Sequence, residues 1–380
     1  MRFIPLMLPA LLAACAQTGT PAAAAEPPFT IQPVASFDEP WAMTFLPDGR
    51  LLVTEKKGKL RVATQQGGKS PPIAGVPAVA YGGQGGLGDV ILSPDFANDR
   101  FIYLSYAEGG PDNTRGAAVA RARLALQPGV AGGRLENVQV IWRQEPKVTG
   151  GGHYSHRMAF SPDGRFLFIA AGDRQKMTPA QDPDQLLGKI VRLTPAGGIP
   201  SDNPNYDQGR LRAQWWSTGH RNILGMAFDR QGRLWEVEHG PAGGDELNLV
   251  KRGANYGWPV VSNGDHYDGR PIPRHATRPE FEAPKVTWNP VIAPGGMAFY
   301  TGDRFPGWRD SLLVAGLGSQ ALVRVTFAGD SAREAERFEF DNRLREVEVG
   351  PDGAVWLLED GEGGRLLRLT PRAGPASASR

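Results

Sequence analysis

The sequence predicts an all-β protein, a six-bladed β-propeller with four-stranded antiparallel blades, on three observations. Glycine and proline number 49 and 33 among 380 residues, which favours short strands and tight turns over long helices. One hairpin, made of an apolar strand, a turn usually written Pro-Asp-Gly and a second apolar strand, recurs along the chain. Its six copies start roughly fifty to seventy residues apart, enough for one four-stranded sheet each.

From the N-terminus, MRFIPLMLPALLAACAQTG joins a positive residue to a short apolar run and then small residues. That is the pattern of an export signal, too short to span a bilayer. Leu12-Ala13-Ala14-Cys15 resembles a bacterial lipobox, so residues 1–15 are expected to form the signal, with a lipid anchor on Cys15. The alternative is a chance cysteine beside an ordinary cleavage site. Cys15 is the only cysteine, so no disulfide can form within the chain. The expected location is the periplasm, with the mature protein tethered to the outer membrane. Residues 16–28 read as a flexible linker, 29–370 as the propeller domain and 371–380 as a disordered tail.

Within the domain, the repeat is clearest in AMTFLPDGRLLVTE (42–55), MAFSPDGRFLFIAAGD (158–173), MAFDRQGRLWEVEHG (226–240) and VEVGPDGAVWLLED (347–360). Looser copies lie at 90–106 and 297–316. Proline fixes φ, and Asp-Gly supplies the positive φ of a hairpin turn. A β-sandwich is the competing fold, but it has no reason to repeat one hairpin so often. With a net charge of +2 and scattered Lys and Arg, nucleic acid is excluded as a partner.

A propeller places the first strand of each hairpin nearest the axis, so the residues just before it emerge at one mouth of the central channel. His153 precedes the turn glycine Gly164 by eleven positions, and Arg221 precedes Gly232 by the same eleven. Gln84, the pair Asn342 and Arg343, and the loop 292–299 fall within a residue or two of that offset in their own copies. These loops should converge on one pocket able to grip a flat ligand.

Histidine at a channel mouth suits a general base, and a nearby guanidinium, here expected from Arg157, would keep it neutral. His156 is the second candidate, and a purely structural histidine is the plain alternative. Arg221 and Asn222 offer a cation and an amide suited to carboxylates, quinone oxygens or developing negative charge, against a surface ion pair. In EHGPAGGDELNLVKRGANYGWP (238–259), the carbonyls of Gly240 and Pro241 with Asp245, Glu246 and the Tyr256 carbonyl form an all-oxygen set that selects calcium over zinc, or else an acidic turn. Arg343 and Arg345 alternate along a strand, so they should point to opposite faces unless a bulge intervenes.

In order, WAMTFLPDGRLLVTE, GGQGGLGDV, HYSHRMAFSPDG, GHRNILGMAF, EHGPAGGDELNLV, NYGWP and RLREVEVGPDG resemble the soluble pyrroloquinoline-quinone (PQQ) dependent sugar dehydrogenases, particularly their bacterial aldose dehydrogenase branch. The resemblance runs from about residue 29 to 370. It implies PQQ and Ca2+ at the channel mouth and oxidation of an aldose's anomeric hydroxyl to a lactone, with electrons passed to an external acceptor. His153 resembles the base, and Arg221 the group that stabilises the resulting oxyanion. Gln84, Asn222, Arg343 and Arg345 resemble the residues that hold the cofactor. Gly240 and Pro241 resemble the ligands of the cofactor's calcium, and Glu246 and Tyr256 those of a second, structural calcium. One departure stands out: Gly318 occupies the blade-five position where the family's glucose dehydrogenases place a lysine on the cofactor. Losing that cation removes roughly 1–3 kcal/mol of cofactor binding.

Two other function classes compete. A calcium-dependent propeller lactonase or esterase would crowd carboxylates around the axial metal. A sugar-binding propeller that has lost its cofactor would keep the fold alone. The sequence leaves open the preferred sugar, the electron acceptor and a homodimer.

Overall fold

Gly49, Gly164, Gly232 and Gly353, the turn glycines of the four close repeats, all have φ between +70° and +83°. This left-handed region is one that glycine enters without strain. Each turn is closed by a backbone bond, as from Gly49 N–H to Leu46 O at 2.9 Å and from Gly353 N–H to Gly350 O at 2.8 Å. The hairpins therefore form where the repeat predicts them.

The computed structural model describes residues 26–372. Its strands make six antiparallel sheets arranged as a six-bladed β-propeller. Blade one holds Pro40–Phe45, Leu51–Glu55 and Lys59–Ala63, and is the one three-stranded sheet. Blade two runs Leu87–Leu92, Phe101–Gly109, Arg115–Leu126 and Gly133–Arg143, and blade three Ser155–Phe160, Leu167–Ala171, Lys189–Leu193 and Trp215–Thr218. Blade four runs Ile223–Phe228, Leu234–Glu238, Asp245–Val250 and Val286–Trp288, and blade five Pro294–Phe299, Leu312–Gly316, Ala321–Ala328 and Ser331–Glu339. Blade six joins Leu344–Val349, Val355–Glu359 and Glu362–Pro371 to the first strand of the domain, Phe29–Asp38. The two ends of the domain thus lie side by side, with Phe29 opposite Pro371 and Asp38 opposite Glu362. The leader, lipobox and most of the linker and tail expected above lie outside the described residues.

Apolar side chains on both faces of each sheet fill the gaps between blades, which is why the hairpin strands read as nearly continuous apolar runs. Between blades three and four, Phe168, Ala170 and Ile190 meet Ile223, Met226 and Leu234. Between four and five, Trp235, Val237 and Leu247 meet Leu312, Val314 and Val323. The first strands of successive blades pack in a circle about the axis.

Below one mouth, the axis is closed by a buried polar network. Arg157 bonds to Asp89 at 3.3 Å, to Glu346 and to the Leu224 carbonyl at 2.6 Å, and its guanidinium lies 4.2 Å from the Trp41 ring. This corrects the expectation for Arg157, which serves the axial network rather than His153. Since side chains alternate along a strand, Arg157 is carried inward, away from the mouth.

Candidate active site

Above that network opens a cavity of about 260 Å3 lined by Trp41, Lys56, Gly83, Gln84, His156, Asn222, His239, Leu317, Arg343, Arg345 and Asp360. Its floor is His156 stacked on Trp41, ring centroids 5.0 Å apart. His156 Nδ1 meets Ser105 Oγ at 2.9 Å. Burial, with Arg157, Arg174 and Arg345 adding, pushes its pKa down to about 3. His156 is thus a neutral part of the floor.

His153 lies two residues before the blade-three strand, next to the cavity-lining Tyr154, with its backbone in the left-handed region at φ +49°. Its N–H donates to Gln84 Oε1 at 2.6 Å, which ties blade three to blade two. Its Nδ1 lies 2.7 Å from Asp173 Oδ1. Asp173 is fully buried and also accepts Trp258 Nε1–H at 2.8 Å and the Gln175 N–H at 2.8 Å. Burial opposes ionisation of Asp173, but the bond from His153 leads those that hold its carboxyl below the usual value. An ionised Asp173 draws the imidazole proton to Nδ1 and leaves Nε2 as an acceptor. Burial lowers the His153 pKa below its usual value, Arg221 and Arg174 adding to that and Asp173 opposing it. The guanidinia that keep this histidine neutral are therefore Arg221 and Arg174.

Arg221 occupies the equivalent place in blade four, as predicted. Its backbone N–H and that of Asn222 donate to Glu238 Oε2 at 2.5 and 3.3 Å. Its Nη1 and Nη2 donate to His239 O and Tyr267 Oη, each at 3.1 Å, and its buried Nε has no partner. Asn222 Oδ1 accepts the Ser155 N–H at 3.2 Å, fixing the amide on the cavity wall. His239, in the same wall, is pushed down to about 3 by burial, with Arg221, His153 and Arg345 adding. Asp173 joins His153 to Arg221, its carboxylate meeting His153 Nδ1 and its N–H donating to Arg221 O at 2.9 Å.

Arg343 and Arg345 both line the cavity and both bond to Asp360, at 3.0 Å for Arg343 Nε and at 2.9 and 2.7 Å for Arg345 Nε and Nη2. The alternation expected of them is broken by a register shift between Leu344 and Glu346, which turns both side chains to one side. Asn342 bonds instead to Glu359 Oε1 at 3.1 Å. At Gly318 a Cβ would come within 2.9 Å of Ala293 Cβ and 3.2 Å of Ile292 O, so no side chain fits without movement. The third cation of the wall is Lys56 from blade one, loosely held 3.2 Å from Gly83 O and 3.4 Å from Glu39.

Gly240, Pro241, Glu246 and Tyr256 surround a smaller cavity of about 20 Å3, together with Glu238 and Arg221. That volume admits an ion-sized occupant. Asp245 is not a free ligand, because it accepts the Gly240 and Ala293 N–H groups at 2.8 and 2.6 Å and so shapes the carbonyl-bearing turn. His275 Nε2 lies 3.1 Å from the Tyr256 carbonyl. The Glu246 carboxylate with the Gly240, Pro241 and Tyr256 carbonyls makes a hard-oxygen donor set that fits calcium. The larger cavity fits a flat polyanion by charge: its wall holds three cationic side chains against two carboxylates, Asp360 bonded to both arginines and Glu39 beside Lys56.

Sequence reasoning missed Asp173, Lys56, Trp41 and Trp258. A signal was present for the first, since all four close repeats carry an acid at or near their end, at Glu55, Asp173, Glu238 and Asp360. In an antiparallel hairpin the end of the second strand returns beside the start of the first. Three of those acids accordingly hold His153, the Arg221 backbone and the Arg343–Arg345 pair.

Residues 37–368 match the glucose/sorbosone dehydrogenase family. An aldose sugar dehydrogenase of Escherichia coli, YliI, is 42% identical over 343 residues, which cover 88% of this chain and 91% of the relative. The crystal structure of the soluble aldose sugar dehydrogenase of E. coli in its apo-form superposes with a TM-score of 0.84 at 40% identity, covering 90% of this chain and all of the other. A PQQ-bound aldose sugar dehydrogenase from Streptomyces coelicolor gives 0.74 at 29% identity, covering 90% of this chain and 98% of the other.

Proposed function

The chain belongs to the glucose/sorbosone dehydrogenase family, and on that premise we propose that it oxidises the anomeric hydroxyl of aldose sugars to lactones with PQQ and calcium, passing the electrons to an external acceptor. The observation that carries this reading is the Asp173–His153 pair beside Arg221, tied through the His153 N–H to Gln84 in the wall of the cavity that Lys56, Arg343 and Arg345 also line. Family membership sets the lactonase and esterase reading aside. Export, lipidation of Cys15 and a homodimer belong to the same proposal.

PQQ, when bound, supplies a two-electron quinone acceptor, and calcium supplies the cation that polarises it. Lys56, Arg343 and Arg345 would meet its carboxylates, Gln84 and Asn222 would fix its edge, and Trp41 with His156 would underlie its plane. Gly240 and Pro241 carbonyls would hold the cofactor's calcium, and Glu246 with the Tyr256 carbonyl a second, structural one. The protein's own part in the reaction is proton control. His153 Nε2 accepts the proton of the anomeric hydroxyl, while Asp173 at Nδ1 stabilises the imidazolium that forms. Arg221 offsets the negative charge that grows on the substrate oxygen as the proton leaves. A general base of this kind contributes about 10²–10⁴-fold to rate.

The test is reconstitution of purified protein with PQQ and calcium, followed by dye reduction with a panel of aldoses. Turnover is expected, and His153→Ala should abolish it while PQQ stays bound. A wild-type protein that binds PQQ but reduces no dye, or a His153→Ala variant with full activity, refutes the assignment.

A further inference from the structure

The inference concerns Tyr267 and rests on the sugar-oxidising reading above: we propose that Tyr267 is a specificity-determining platform at the rim, on whose exposed face the apolar side of the substrate's sugar ring stacks. Its side chain is 77% exposed, while the other exposed large apolar residues among those described reach 45% at most. What sets this ring apart is its hydroxyl bond to Arg221 beside His153.

The backbone that carries it is firmly held. Asp265 and Ala242 exchange backbone hydrogen bonds at 2.9 and 3.1 Å, and Arg274 Nη2 bonds to Asp265 at 2.7 Å. The turn is closed by His266 N–H to Arg270 O at 3.0 Å and by Arg270 N–H to Asp268 Oδ1 at 3.1 Å. Tyr267 is thus presented to solvent by a rigid turn, and only its hydroxyl is anchored, by Arg221 Nη2 at 3.1 Å.

Arg221 connects that anchor to the chemistry. Its guanidinium carbon lies 5.2 Å from the Trp258 ring and 5.9 Å from the Tyr267 ring, and Trp258 bonds through Asp173 to His153. Along this chain Trp258 is 7% exposed and offers little free face. Tyr267 is the aromatic surface left open beside the cation proposed to meet the reacting oxygen. A sugar ring has a C–H face and hydroxyl edges, so it matches an aromatic face flanked by a guanidinium donor. The flat ring with its pinned hydroxyl needs little ordering on binding.

The test is steady-state kinetics of Tyr267→Ala, Tyr267→Phe and Tyr267→Trp, loaded with PQQ and calcium, on the aldose that the wild type turns over fastest. Because the side chain is exposed, folding should be unaffected, which circular dichroism checks. Tyr267→Ala is expected to raise KM about tenfold, equivalent to about 1.4 kcal/mol, with a much smaller change in kcat. Tyr267→Phe and Tyr267→Trp keep a stacking face and should restore KM to within about threefold of wild type. An unchanged KM in Tyr267→Ala overturns the proposal. So does a Tyr267→Phe variant as impaired as Tyr267→Ala, since only the hydroxyl's hold on Arg221 would then matter. A wild-type protein inert towards every aldose would instead refute the sugar-oxidising reading, and this inference with it.

Discussion

Replacing Asp173 by Asn changes one atom at the best-defined contact in the site. The carboxylate accepts from His153 Nδ1, Trp258 Nε1 and the Gln175 N–H at 2.7, 2.8 and 2.8 Å, all out of water. An amide has one acceptor oxygen and a donor group, so at least one of those N–H groups must face another donor. Losing a buried charge-assisted bond is worth about 1.5–3 kcal/mol, and if the loss falls on the transition state kcat drops about 10- to 200-fold. Loss of the base altogether would cost up to about 10⁴-fold. The pH profile separates this from simple misfolding. His153 must be neutral to accept a proton, and its pKa already lies below the usual value because of burial, with Arg221 and Arg174 adding. Wild-type activity should therefore hold through neutral pH and fall as pH drops through that lowered pKa. Asp173 raises the His153 pKa, so Asp173→Asn should move the acid limb to lower pH while the plateau falls. Dye-reduction rates of the reconstituted variant across the acid range provide the assay. A plateau within threefold of wild type, or an acid limb displaced upward, would refute the proposed proton relay.

Lys56→Ala and Arg343→Ala should each weaken PQQ affinity about ten- to a hundredfold, measured by fluorescence titration, with wild-type affinity falling as salt rises. Chelation should abolish activity, and calcium should restore it better than magnesium, because an all-oxygen set of carbonyls and a carboxylate suits the larger, less strictly octahedral ion. Gly88→Ala would set a Cβ 2.1 Å from His156 Cε1 and 2.9 Å from Ser105 Oγ. It should lower stability by about 1–3 kcal/mol in chemical denaturation and weaken PQQ binding by lifting the cavity floor.

Much of the fold was legible because one local rule, an apolar pair of strands around a positive-φ glycine, was written into the sequence repeatedly. The offset from that glycine then aligned His153 with Arg221 without any knowledge of three-dimensional distance. It could not identify Lys56, which enters the wall just after a second strand, or Trp258, which comes from a long connection inside blade four with no repeat to index it. The geometry of Arg343 and Arg345 was readable only up to the register shift beside them, since a bulge is a property of two paired strands and not of either alone. The Gly318 departure was visible, yet the third cation of the cavity wall, Lys56, comes from the other end of the chain.

Blade six is sewn from both ends of the domain, and the direction of that seam matters. Phe29 and Pro371 lie at the same edge, where Arg372 N–H still reaches Pro28 O at 2.9 Å. Tension applied between the two termini would therefore load these bonds one after another, like a zip, instead of sharing force along the whole strand. Under mechanical stress, or under an exopeptidase working from either terminus, the ring should part first at this seam, while the five remaining sheets, each made of consecutive chain, stay folded.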